Sequence, residues 1–343
     1  MGYYDAVFDG LGLRDWCDAG NSGKPLLSME QLVSKARGTE QSQDFLPFPS
    51  LDVLHESCAR IYQTRDLTRG LADAFLAIKD PLKLVLDPLT QPLSWLLDGA
   101  LALVSAMPWW VLIPLLIGLT YWVTRAVGAT VLVLVSTLFL AFIDHWTYAA
   151  QTLSIVFVCT ALSVLLGVPI GIAMAKSDRL QRILTPLLDL LQTLPSFVYL
   201  IPLIFLFSVT ESKLYGIAII LYAVVPIIRL TDLGIRLVSR DVVEAADAFG
   251  MPQGQRLWKV ELPLAMPNIM AGLNQTIMMS LAMVVIASLV SAPGLGVLVL
   301  RGIRNLELGV GLVAGLGIVI LAVILDRTSK AALHRYDKLK QTR

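Results

Sequence analysis

The chain has 343 residues, 56% of them hydrophobic and only 15% charged, with a formal net charge of +1. That balance is too apolar for a soluble globular protein and points to an integral membrane protein, all-α in class. The near-neutral total conceals an uneven distribution: residues 1–85 carry 9 Lys/Arg against 12 Asp/Glu, whereas the stretch from Arg327 holds six basic residues and a single acid, Asp337. The two ends are therefore expected to face different environments.

Residues 1–20 include Asp5, Asp9, Arg14, Asp15 and Asp18 and lack an apolar core before a small-residue cleavage site, so no signal peptide is expected there. Between Leu51 and Ile78, the residues Leu54, Ile61, Leu67, Leu71, Phe75 and Ile78 recur at roughly helical spacing, which predicts amphipathic helices resting on the membrane or the protein body. Leu93–Met107 reads as a further interfacial or partly inserted helix, ending at Pro108-Trp109-Trp110, where paired tryptophans suit the membrane surface. Seven apolar runs then follow, near residues 109–123, 127–143, 149–175, 190–209, 214–235, 269–290 and 308–325.

A polar stretch separates the fifth run from the sixth. It reads Glu244-Ala245-Ala246, three residues, Gly250, nine residues, Val260, one residue, Leu262-Pro263. Ala245, Ala246 and Ala248 make a helix face without bulk, while Glu244 and Asp247 place carboxylates at its rim. Gly250 is suited to a positive φ that ends one helix, Pro252 to the first turn of the next, and Pro263 to a stop before the following run. The spacing resembles the EAA loop of the membrane subunits of ABC importers, with Val260 in place of the usual isoleucine. The resemblance implies a cytoplasmic coupling loop of two short helices, seated on an ATPase subunit through Glu244, Ala245, Ala246, Asp247, Gly250, Leu262 and Pro263.

With that loop placed inside, alternation of seven spans puts fifteen basic residues in the cytoplasm against Lys213, Arg301 and Arg304 outside, in line with the positive-inside rule. The amino terminus then lies outside and the carboxyl terminus inside. The expected organisation is an extracytoplasmic tail over 1–88, an interfacial helix and two membrane helices over 89–146, a transmembrane core over 147–326 and a basic cytoplasmic tail over 327–343. The N-terminal tail is expected to serve either anchoring or regulation. Cys17 and Cys58 would share an oxidising compartment, although two cysteines 41 positions apart do not establish a disulfide.

Catalytic and metal-binding patterns are missing from the sequence: His55, His145 and His334 are scattered, and no HExxH, GxSxG or phosphate-loop motif occurs. No catalytic residue, metal or cofactor is expected in this chain. Gly167 and Gly171, and again Gly311 and Gly315, have the small-xxx-small spacing that lets helices approach closely. The fourth run and its approach carry Pro186, Pro195 and Pro202 with Gln192, Thr193, Ser196 and Tyr199; the sixth interleaves Asn274, Gln275, Thr276 and Ser280 with methionines. Polar side chains in lipid are costly unless they face protein or water. Gln192, Tyr199, Asn274, Gln275 and Met278 are therefore candidates for a translocation path, with helix-to-helix hydrogen bonding as the alternative.

Residues 192–199, the run Lys259–Leu273 (KVELPLAMPNIMAGL), Asn274-Gln275-Thr276, residues 283–288 and residues 300–303 narrow the resemblance to the permease subunit of the glycine betaine/proline/choline importers, over about residues 90–326. One departure is Ala292-Pro293-Gly294-Leu295-Gly296, where the family is expected to be richer in glycine. The resemblance implies a type I ABC importer transmembrane-domain fold of about seven membrane helices in the inner (cytoplasmic) membrane. It implies a homodimer of this chain, two ATPase subunits that hold ATP and magnesium, an extracytoplasmic substrate-binding protein, and no nucleic acid. A permease for another small solute remains open. A secondary transporter or channel would predict inverted repeats or intramembrane charge, and a membrane-embedded enzyme a paired catalytic constellation; neither pattern is visible.

Overall fold

A computed structural model describes residues 3–13, 17 and 64–341. The chain divides into two compact units, Met1–Asp80 and Pro81–Arg343. No strand occurs among the described residues. The helices are α1 (Tyr3–Gly10), α2 (Thr64–Ala106), α3 (Trp109–Thr124), α4 (Val127–Phe142), α5 (Trp146–Lys176), α6 (Asp178–Thr193), α7 (Leu200–Leu206), α8 (Ser212–Arg236), α9 (Arg240–Ala248), α10 (Gln253–Arg256), α11 (Leu262–Ala287), α12 (Leu295–Arg304) and α13 (Leu308–Gln341). Cys17 is disulfide-bonded. Cys58, and residues 51–63 of the expected amphipathic stretch, lie outside the described residues.

All seven apolar runs become helical, but they do not all become single spans. Four helices are long and apolar enough to cross a membrane alone: Trp146–Lys176, Ser212–Arg236, Gln253–Val290 and Leu308–Leu333. The first run, α3, meets α2 at a bend of 115°. With 16 residues each, α3 and α4 reach only about 24 Å against a hydrocarbon core of about 30 Å. Arg125, in the left-handed region at φ 51°, turns the chain between them, and Arg335 Nη1 of α13 donates to the carbonyl of Val123 at 2.8 Å.

The fourth run departs most from expectation. Instead of one helix over 190–209, α6 ends at Thr193, a 3₁₀ turn covers Ser196–Tyr199, and α7 leaves at 106° to α6. Pro195 explains the break. Its ring disfavours helical geometry at the preceding residue, and Leu194 is extended at φ −65°, ψ 133°.

The centre of the second unit is α8, packed between α5 and α11. Gly171 brings α5 onto α8 so closely that a Cβ there would lie 2.6 Å from the carbonyl oxygen of Ile228, and one at Gly167 would run into the side chain of Ile227. On the other flank, Gly234 of α8 meets Asn268 and Ala265 of α11, while Gly272 of α11 meets Leu230 and Ile227. Met174, Val225, Ile227, Ile228, Ile235, Ala265 and Ile269 fill the intervening core. Thr160 Oγ1 donates to Ser280 Oγ at 3.2 Å, tying α5 to α11 within it. The expected second glycine pair is only half used: Gly311 abuts Gly302 of α12, whereas nothing lies near Gly315. A smaller core of Val133, Leu140, Ala149, Leu295, Leu321 and Ile324 joins α4, α5, α12 and α13. The turn before α12 uses Gly294 at φ 119°, and Leu295 N donates to Thr152 Oγ1 at 2.9 Å.

The segment of α2 beyond residue 84 meets α8 through a mixed polar and apolar face. Lys213, 4% exposed, pairs with Asp87 at 2.7 Å and Glu211 at 2.8 Å, and its backbone N–H donates to Ser94 Oγ at 3.2 Å. Ser212 bonds Asp98, and Leu97 is fully buried against the side-chain-free surface of Gly216. Val85, Leu89, Leu96 and Leu103 are exposed. This face of the segment thus joins α8 through both apolar and polar side chains, Leu93 and Leu97 at Gly216 and Asp87 and Ser94 at Lys213, while other apolar side chains stay open.

Candidate functional site

The polar stretch between α8 and α11 folds as a helical hairpin. Helix α9 closes in a Schellman motif: Gly250 N donates to the carbonyl of Asp247 at 2.9 Å and Met251 N to that of Ala246 at 3.2 Å. Gly250 takes φ +74°, as the motif requires of its left-handed residue. Pro252, extended, stands immediately before α10, and its carbonyl accepts from Arg256 N at 3.0 Å. Helix, glycine turn and second helix thus follow from local backbone chemistry.

Pro263 does not stop the second helix. The chain passes from α10 through a π-helical turn, Leu257–Glu261, into α11 with Pro263 in its first turn, so that Gln253–Val290 forms one 38-residue element. A proline ring collides with the carbonyl four residues before it, and a π turn widens the backbone just there. Leu262 N donates to the carbonyl of Leu257 across that wider ring.

Glu244, Ala245, Asp247 and Ala248 are open on α9, while Ala246 is buried against the body. Leu262 and Pro263 are half-buried, and Leu262 packs on the core shared by α5, α8 and α11. Phe249 projects at 84% exposure beside the glycine turn. Its signal in the sequence is a large aromatic where a polar helix ends.

Behind the hairpin runs a chain of alternating charges. Arg256 Nη1 donates to both oxygens of Asp247 at 2.6 Å, and Arg256 Nε donates to Glu261 Oε1 at 3.0 Å. The other oxygen of Glu261 accepts from Lys176, the last residue of α5. Glu261 is 3% exposed, and both of its oxygens are matched by cations, as burial of a carboxylate requires. A second cluster lies alongside: Arg236 pairs with Asp232 at 2.9 Å and Asp178 at 2.8 Å and donates to the Met174 carbonyl at 2.9 Å, while Gln181 donates to Asp232 at 2.8 Å. Charged residues at an apolar boundary are common, and the sequence does not disclose which of them pair.

Of the path candidates, Gln192 and Tyr199 come together around Tyr222. Gln192 Nε2 donates to the Tyr222 carbonyl at 3.4 Å, and the buried Tyr199 ring lies 6.5 Å from that of Tyr222 with its hydroxyl on the Leu191 carbonyl. Asn274 is fastened elsewhere: its Nδ2 donates to Asp326 at 3.0 Å and its Oδ1 accepts from Ser329 at 2.8 Å, both on α13. Met278 is half-buried and Gln275 exposed on α11. Among the described residues no group of three or more His, Cys, Asp or Glu is arranged to hold a metal.

Residues 167–336, which contain the hairpin, match the model of the binding-protein-dependent transport system inner membrane component. The chain is 46% identical over 241 residues to the glycine betaine/proline betaine transport system permease protein of Escherichia coli, covering 70% of this chain and 67% of that one. It is 42% identical to the glycine betaine/carnitine transport permease protein of Listeria monocytogenes, covering 71% and 87%. It is 40% identical to the glycine betaine transport system permease protein of Bacillus subtilis, covering 71% and 86%. The family match over residues 167–336 and identities of 40–46% to relatives of which two thirds or more are covered show that the chain belongs to the inner-membrane permease components of binding-protein-dependent ABC transport systems.

Proposed function

We infer that this permease imports glycine betaine or a related quaternary amine, with two copies forming the pathway, two ATPase subunits docked on the hairpin and an extracytoplasmic binding protein delivering the solute. The observation that carries the reading is the hairpin: Ala245 and Ala248 exposed beside an open Glu244 and a protruding Phe249, with Asp247 and Arg256 tying it by charge to the core. Small residues admit close approach, and an exposed aromatic beside them is the kind of side chain that anchors an interface.

Closure of the ATPase pair on ATP would draw the two hairpins together and reorient α5, α8 and α11 between inward- and outward-open states, as alternating access requires. The work of this chain is to hold and release, and ATP chemistry stays on the partner. A quaternary ammonium offers no N–H donor and is recognised by aromatic faces, which the binding protein would supply. The pathway then needs only weak contacts, for which Gln192, Tyr199, Asn274, Gln275 and Met278 are the proposed residues.

The test is uptake of labelled glycine betaine by cells expressing the assembled system. Glu244→Lys reverses a rim charge and Gly250→Val strains the left-handed turn by about 1–3 kcal/mol. Each should lower uptake while the protein still reaches the membrane. Undiminished uptake by both variants would overturn the assignment of the hairpin, and uptake of other solutes alone would overturn the substrate class.

A further inference from the structure

Glu261 closes the irregular turn at the base of the hairpin. The π turn over Leu257–Glu261 interrupts the regular helical ladder between α10 and α11, and an interruption of that kind is a common hinge. The charge chain crosses it. Arg256 precedes the turn and Glu261 ends it, and their contact at 3.0 Å spans the widened backbone. Asp247 holds Arg256 from α9, so both arms of the hairpin join the brace. The free oxygen of Glu261 is taken by Lys176, which brings in α5.

Helix α5 is the element through which such a tie matters. It packs side-chain-free on α8 at Gly167 and Gly171, bonds α11 through Thr160 and Ser280, and has the carbonyl of Met174 held by Arg236. A displacement of the hairpin that reaches Lys176 therefore reaches the whole three-helix core. Without the tie, the same displacement is absorbed by bending at the π turn.

On the reading that an ATPase docks on this hairpin, we propose that Glu261 is the positioning residue that, through Lys176, makes the hairpin and α5 move as one body and so sets how much solute crosses per ATP hydrolysed. Its role is transmission, separate from docking. Two variants test it from opposite sides: Glu261→Gln removes the buried charge and leaves Lys176, 38% exposed, to solvent, whereas Lys176→Gln leaves the Glu261 carboxylate, 4% exposed, with Arg256 alone.

The experiment uses the assembled transporter, purified with its ATPase subunits and reconstituted in liposomes with the binding protein, and reads labelled glycine betaine transported against ATP hydrolysed. Lys176→Gln should lower that ratio at least about fivefold, the lower end of typical coupling between sites, with the ATPase still co-purifying in full. Lys176→Arg, which keeps the cation, should restore the ratio, and Glu261→Gln should lower it as Lys176→Gln does. An unchanged ratio in Lys176→Gln would overturn the proposal. So would loss of the ATPase from that variant, which would make the contact a mere support for docking. Absence of the ATPase from the unaltered complex would overturn the underlying reading itself, and the proposal with it.

Discussion

Gly250 and Phe249 are neighbours under opposite demands. A Cβ at Gly250 would meet nothing within 4 Å, so a substitution there acts through the backbone at φ +74° and not through a clash. Phe249 has a regular backbone at φ −76° and a side chain left open. On the proposed docking of an ATPase at this hairpin, the exposed phenylalanine is a contact for the partner and adds little to the stability of the free chain. Phe249→Ala should accordingly leave the thermal unfolding of the purified permease unchanged while weakening ATPase association by about 2 kcal/mol or more, the threshold of a dominant interface residue. Titration of the ATPase onto the permease in nanodiscs reads both quantities; lowered melting with unchanged association would make Phe249 a packing residue.

Among elements, the contact of α5 with α8 and that of α2 with α8 make separate predictions. Gly171→Leu would drive a side chain into the Ile228 carbonyl and Thr231, an overpacking that costs about 1–3 kcal/mol and should lower the melting temperature of the purified protein. At the far end of α8, Lys213→Met leaves Asp87 and Glu211 without their shared cation. Those carboxylates are 35% and 34% exposed, so about 1 kcal/mol is expected, well below the cost for a fully buried pair. A Leu97→Cys thiol, buried in the parent, should then react roughly fivefold faster in the Lys213→Met background; equal rates would show that the apolar contact at Gly216 holds the segment alone. What was legible beforehand divides along the same lines. The helix, turn and helix of the hairpin could be read because Gly250 and Pro252 act on their own backbone, and the seven apolar runs because lipid imposes hydrophobicity on each span. The continuation past Pro263 could not, since the π turn is braced by Lys176, a residue 85 positions away. Asn274 was singled out for its polarity, yet its partners Asp326 and Ser329 depend on the register of α13 against α11, which no local pattern encodes.

For the whole molecule, the charge asymmetry makes orientation a testable prediction. In a cysteine-free background, Asn305→Cys in the exposed turn before α13 should react with an impermeant thiol reagent added outside, and Arg182→Cys on exposed α6 should not. The reverse pattern would invert the molecule. Helices α5, α8 and α11 approach closely at Gly167, Gly171, Gly234 and Gly272 and interlock through the core side chains between those points, and such contacts tolerate little sliding. Alternation between open states is therefore expected to occur at the edges of this three-helix unit and not inside it.

The π turn also fixes an azimuth. Each residue advances a helix by about 100°, so the one extra residue in that turn sets the direction in which Phe249 and the bare face of α9 point around the axis of α11. A relative that lost a single residue from Leu257–Glu261 would keep every feature of the hairpin, regain an unbroken helix, and aim its docking face about a quarter-turn or more away. The length of that short segment is thus as much a specification as its composition: it is the phase that keeps the open face of α9 in step with the face of α11 that packs on the core.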